Sequence, residues 1–165
     1  MSAPLFRAAI ITFAALLATS TAMAANPRQP PAPAAKRVPA QKPHRIVIQV
    51  DQNDPAVMNL ALNNASNIID YYRSKKQDVS VDIVTYGPGL HMLRADTSPV
   101  KDRIAKMKDY AFPSTIRFSA CNNTKQNMEK SEGHPIELVK EASTVPSGVV
   151  HATELQEQGW SYLRP

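Results

Sequence analysis

Three β-branched runs, Arg45-Ile-Val-Ile-Gln-Val50, Val79–Tyr86 and Thr115–Ala120, are each followed by a stretch with helical signals of its own. This alternation constrains the chain more than any other feature. It predicts one α/β domain over residues 44–165, with a mostly parallel sheet. Asp54-Pro55 suits a helix start, with a carboxylate cap and a proline in the first turn. From there Val57, Ala61, Ala65, Ile68 and Tyr72 share one face, and Asn59, Asn63 and Asn67 share another. Asparagine is a poor helix former, so tertiary packing must hold this helix. The asparagine stripe reads as a solvated face or a subunit contact.

Gly87-Pro88-Gly89 ends the second strand, and a short helical turn follows from Leu90 to Arg94. Ser98-Pro99 opens the next helix, whose apolar face is Val100, Ile104, Met107 and Ala111. Cys121 comes directly after the third strand, and Asn122-Asn123-Thr124 begins another helix. A short strand is expected near Thr144, then a helix capped by Ser147 and stopped by Gly159. Trp160, Tyr162 and Leu163 are expected to dock back on the core.

The first quarter of the chain has a different character. Arg7, the apolar run Ala8–Ala18 and Ala22-Met23-Ala24 form the pattern of a secretory signal, with cleavage expected after Ala24. The apolar run is too short to span a bilayer, so no membrane attachment is expected after cleavage. Residues 25–43 hold six prolines among alanines and basic residues and read as an extended or disordered linker. The expected location is therefore periplasmic or secreted. Charge follows the same division. Five of the nineteen Lys and Arg lie before residue 44, leaving fourteen, and all fourteen Asp and Glu lie after it. The domain is thus neutral, which argues against nucleic-acid binding by phosphate neutralisation.

A single cysteine rules out an intrachain disulfide, a CxxC redox pair and a Cys-rich zinc site. Cys121 is nevertheless the strongest chemical feature. It lies at the carboxyl end of a parallel strand, where open α/β sheets bind ligands, and at the amino end of a helix. Free N–H groups there favour negative charge and raise the thiolate fraction of a cysteine. Two readings stay open: a nucleophilic or sulfur-carrying thiolate, and a small buried hydrophobe at a strand end.

Other chemistries lack a starting point. The four histidines form no HExxH or equivalent, and Met58, Met92, Met107 and Met128 read as core rather than as soft-metal ligands. No metal site is expected. Gly87-Pro88-Gly89 lacks the third glycine of a dinucleotide loop, no phosphate-binding GxxxxGK[ST] occurs, and no cofactor is implied. No serine lies in a GxSxG elbow.

Phe118-Ser-Ala-Cys121-Asn-Asn-Thr124 resembles the Cys-x-x-Thr site of the DsrE/DsrF-like proteins. Leu62-Asn-Asn-Ala-Ser-Asn67, Tyr86-Gly-Pro-Gly-Leu90, Pro146-Ser-Gly-Val149 and Gln158-Gly-Trp-Ser-Tyr162 fit the same family in order and spacing. The resemblance covers residues 44–165. It implies a three-layer α/β/α fold of the DsrEFH type and a tendency to form homo-oligomers. Sulfur-relay members of the family carry sulfane sulfur as a persulfide on a cysteine, so Cys121 would be the carrier residue. Asn53, Tyr86, Gly87, Asn122, Asn123 and Thr124 are the candidate walls of its pocket. The sulfur donor and acceptor would be a thiol or protein of unknown identity. The alternative is a non-enzymatic module on the same fold that binds a small ligand or a protein partner.

Overall fold

The computed structural model describes residues 44–165. The signal-peptide and linker expectations fall on residues 1–43, outside the described residues. The domain is three-layered: a five-stranded, all-parallel sheet with helices on both faces. In chain order the elements are β1 (His44–Val50), α1 (Pro55–Ser74), β2 (Val79–Thr85), a 3₁₀ segment (Gly87–Leu93), α2 (Lys101–Ala111), β3 (Thr115–Cys121), α3 (Asn122–Glu132), β4 (Ala142–Val145), α4 (Gly148–Glu157) and β5 (Ser161–Leu163). The sheet order is β4-β3-β2-β1-β5.

That order explains which face each helix covers. Crossovers between parallel strands are right-handed. The steps from β1 to β4 all run in one direction, so α1, α2 and α3 fall on one face. The step from β4 to β5 runs back across the sheet and places α4 on the other. The cores match. Ile48, Val50, Val81, Ile83, Phe118 and Ala120 pack with α1, α2 and Met128 of α3, whereas Val47 and Val84 pack with Ala152 and Leu155 of α4. Successive side chains of a strand point to opposite faces, which is why neighbours such as Val47 and Ile48 belong to different cores.

Local chemistry sets most boundaries. The Asp54 carboxylate accepts from the Ala56 N–H at 2.7 Å, with Pro55 in the first turn of α1. The buried stripe of α1 is Met58, Ala61, Leu62, Ala65 and Ile69, while Val57, Ile68 and Tyr72 flank it. The asparagine stripe is partly engaged within the domain. Arg103 of α2 donates to the side-chain oxygens of Asn59 and Asn63, at 2.5 and 2.8 Å. Val100, Ile104, Met107 and Ala111 are buried as expected for α2. Its first turn starts later than expected, with Val100 as the cap residue. Ser98 instead donates to the Met92 carbonyl and accepts from the Val100 N–H, bracing the turn before the helix.

Two ends differ from the sequence reading. β3 runs one residue further, so Cys121 is both its last residue and the cap of α3. The terminal segment Ser161–Leu163 forms a fifth strand against β1 where only docking was expected. Three residues are too few for a period-2 pattern to show. Met58 and Met92 are fully buried and Met107 nearly so, in the core. Among the described residues, no helix is long and apolar enough to cross a membrane.

Candidate functional site

β3 and β4 are adjacent and parallel, yet the helices that follow them leave toward opposite faces. Such divergence opens a crevice beyond the carboxyl ends of the strands. Cys121 lies at the carboxyl end of β3, paired in register with Val145. It is 4% exposed.

The cysteine sits where two helices start, as the cap of α3 and against the first residue of α4. Cys121 caps α3, its Sγ accepting from the Thr124 N–H at 3.4 Å. The Asn123 N–H donates to the Pro146 carbonyl at 3.3 Å, and Gly148 packs against the cysteine from the start of α4. The Thr124 oxygen accepts from the Gly87 N–H at 2.9 Å, which leaves its own hydrogen for the sulfur. Burial pushes the thiol pKa up. The donors from Thr124, Gly148 and Asn123 outweigh it, and the net pKa lies below that of an ordinary thiol. A buried anion normally needs a countercharge, but these contributions come from neutral hydrogen-bond donors.

The first residue of α4 has to be small. A Cβ on Gly148 would come within 3.0 Å of the Tyr86 Cβ and Cδ1 and 3.1 Å of the Cys121 Cβ. Glycine therefore lets α4 start against the cysteine, with its N–H near the sulfur. Tyr86 closes the crevice on the β2 side. Burial and the nearby Asp51 carboxylate raise its phenol pKa.

The structure thus gathers Tyr86, Gly87 and Thr124 around Cys121, whereas Asn123 is exposed and its N–H donates to the Pro146 carbonyl. Asn122 is half-buried at the first position of α3. Asn53 is not brought in. It is exposed in the loop after β1, and β2 separates β1 from β3. Gly148 is a site residue that the sequence reading did not single out. The available signal was its position directly after the cap residue Ser147 of the last helix.

Two expected outcomes follow from this geometry. A cysteine whose folded pKa is lowered stabilises the fold above its unfolded pKa, about 8.5 for a free thiol. That contribution is lost as the pH falls through the folded value. The stability of the wild type relative to Cys121→Ser should therefore grow as the pH rises toward about 8.5, as read by denaturant melts across a pH series. Thr124→Val removes the hydroxyl donor at nearly constant volume. A hydrogen bond to a charged group contributes about 1.5–3 kcal/mol, so alkylation of Cys121 at neutral pH should slow by roughly tenfold or more. Thr124→Ser should recover most of the rate; an unchanged rate in Thr124→Val would remove the hydroxyl from the site.

Among the described residues, no group of three or more His, Cys, Asp or Glu side chains is placed to hold a metal ion. No family model matches the chain, and none of the curated proteins matches it. Among solved structures the chain is similar to MTH1491, a protein of unknown function from Methanobacterium thermoautotrophicum. The two are 28% identical over 74% of this chain and 99% of that one, with a TM-score of 0.61. The likeness supports the fold and assigns no activity.

Proposed function

We propose that the protein is an exported, DsrE/DsrF-like sulfur carrier that holds sulfane sulfur as a persulfide on Cys121. One observation carries this reading: Cys121 is buried where two helices begin, its sulfur accepting from the Thr124 N–H while Gly148 packs against it, and its pKa is held down by the surrounding Thr124, Gly148 and Asn123 groups. A pocket with this chemistry favours an anionic sulfur over a neutral thiol. The motif from Phe118 to Thr124 and the parallel three-layer fold support the same assignment.

The step is redox-neutral. The Cys121 thiolate attacks the outer sulfur of a donor hydropersulfide, R–S–SH. A new S–S bond forms, the donor's S–S bond breaks, and the donor leaves as the thiolate R–S⁻. The transferred sulfur keeps its proton or loses it to water, giving Cys–S–SH or Cys–S–S⁻. An acceptor thiolate then attacks the outer sulfur, and Cys121 leaves as its thiolate. Without a second cysteine in the chain, release requires an external thiol. Burial of the sulfur hinders disulfide formation between two copies, the main hazard for a lone thiol in an oxidising compartment.

The test is intact mass after incubation with polysulfide. A gain of one sulfur that reductant removes is the expected result. An unmodified thiol that alkylates only at high pH would discard the carrier reading and leave a binding module on this fold.

A further inference from the structure

The face of the sheet beneath α4 carries a charged group that the thiol chemistry does not use directly. Asp82, in the middle of β2, is fully buried. Burying a carboxylate costs several kcal/mol unless it is well paired. Asp82 has three partners. Ser119 Oγ donates to Oδ1 at 2.7 Å, Arg117 donates to Oδ2 at 2.8 Å, and His151 Nε2 lies 3.1 Å from Oδ2. At that distance the carboxylate can accept from an Nε2–H of His151. Serine, histidine and aspartate meet here without forming a hydrolytic triad. Both Ser119 and His151 bond to the carboxylate, and neither activates the other.

The partners of Asp82 belong to the two elements that build the cysteine site. Ser119 is two residues before Cys121 on β3, so both side chains point to the same face. His151 is three residues after Gly148 in the first turn of α4, and its N–H donates to the Ser147 carbonyl at 2.9 Å. One carboxylate therefore ties the strand that carries the sulfur to the helix turn that carries the Gly148 amide. The Ser147 side chain makes no capping bond, so it does not brace that turn.

We propose that His151 is a positioning residue for Cys121: seated on buried Asp82, it fixes the first turn of α4 and keeps Gly148 packed against the cysteine. The proposal rests on the reading of Cys121 as a reactive thiolate. Arg117, half-exposed and lying over the Trp160 ring, braces the carboxylate from the solvent side.

The experiment compares rates of alkylation by iodoacetamide against pH for the wild type, His151→Ala, His151→Gln and His151→Asn, each checked for folding by its melting curve. His151→Ala should react roughly three- to tenfold more slowly at neutral pH, with the inflection of its profile moved upward, because the start of α4 is displaced from the thiolate. Glutamine places an amide nitrogen close to the Nε2 position and should restore the wild-type profile. Asparagine is too short to reach Asp82 and should behave as alanine, which keeps the comparison available if His151→Ala does not fold. A His151→Ala or His151→Asn profile with the wild-type inflection would overturn the proposal, even if the melting temperature fell. A wild-type inflection in the ordinary thiol range would overturn both this proposal and the carrier reading, a result distinct from an unaffected variant.

Discussion

Cys121→Ser is expected to abolish sulfur loading completely while leaving the fold intact. The two halves of this expectation have separate causes. Cys121 caps α3 through its sulfur, and serine is among the preferred residues for that role. A hydroxyl oxygen accepts from the Thr124 N–H at least as well as sulfur does. The register with Val145 and the packing beside Gly148 involve the backbone and Cβ, which serine keeps. Stability near neutral pH should therefore change by less than about 1 kcal/mol. The hydroxyl, however, is not ionised at neutral pH and forms no persulfide. After incubation with polysulfide the variant should show its unmodified mass, while the wild type gains one reducible sulfur. A mass gain on Cys121→Ser would place the chemistry elsewhere, and a collapsed variant would make Cys121 a structural residue first.

The largest loss of stability is expected at Gly89. This residue lies in the 3₁₀ segment where it crosses the end of β1. A Cβ there would stand 2.1 Å from the Val50 carbonyl oxygen, 2.6 Å from its carbon and 2.8 Å from the Asp51 Cα. All three are backbone atoms of β1 and the residue after it, so no side-chain rotation relieves the clash. The Val50 oxygen is also fixed by accepting from the Tyr86 N–H. Overpacking usually costs about 1–3 kcal/mol where side chains can yield. Here the backbone must move, and Gly89→Ala should lose about 3 kcal/mol or more, with a fall of roughly 10 °C or more in melting temperature. A melt within about 2 °C of the wild type would show that the crossing is looser than its geometry indicates. Because Tyr86 and Gly87 precede this crossing, a folded Gly89→Ala should also show altered thiol reactivity.

The parts of the molecule legible in the sequence were those whose signals are local. Asp54-Pro55 marked the start of α1, and the β-branched runs marked β1 to β3. The position of Cys121 between strand and helix followed from the same local pattern. Features set by topology were not legible. Gly148 and Cys121 are far apart in the chain and meet because the last crossover reverses direction. The neighbourhood of Asp82 and His151 depends on which face each strand residue takes and which helix covers it. Nothing near His151 in the sequence points to Asp82, which lies on another element. Asn53 stands exposed in the loop after β1. It follows a strand end as Thr124 does, but the sheet order puts β2 between their strands. β5 was missed because three residues carry no readable period.

The placement of β5 has a consequence for how the polypeptide is made. Ile46, Val47 and Ile48 pair on one side with β2 and on the other with Ser161, Tyr162 and Leu163, at the far end of the described chain. During synthesis the second flank of this apolar strand stays bare until Ser161–Leu163 emerge. A polypeptide halted or clipped before Ser161 would present that flank as a template on which another copy could add a strand. The three residues of β5, too few to show a period in the sequence, thus cover the second flank of β1.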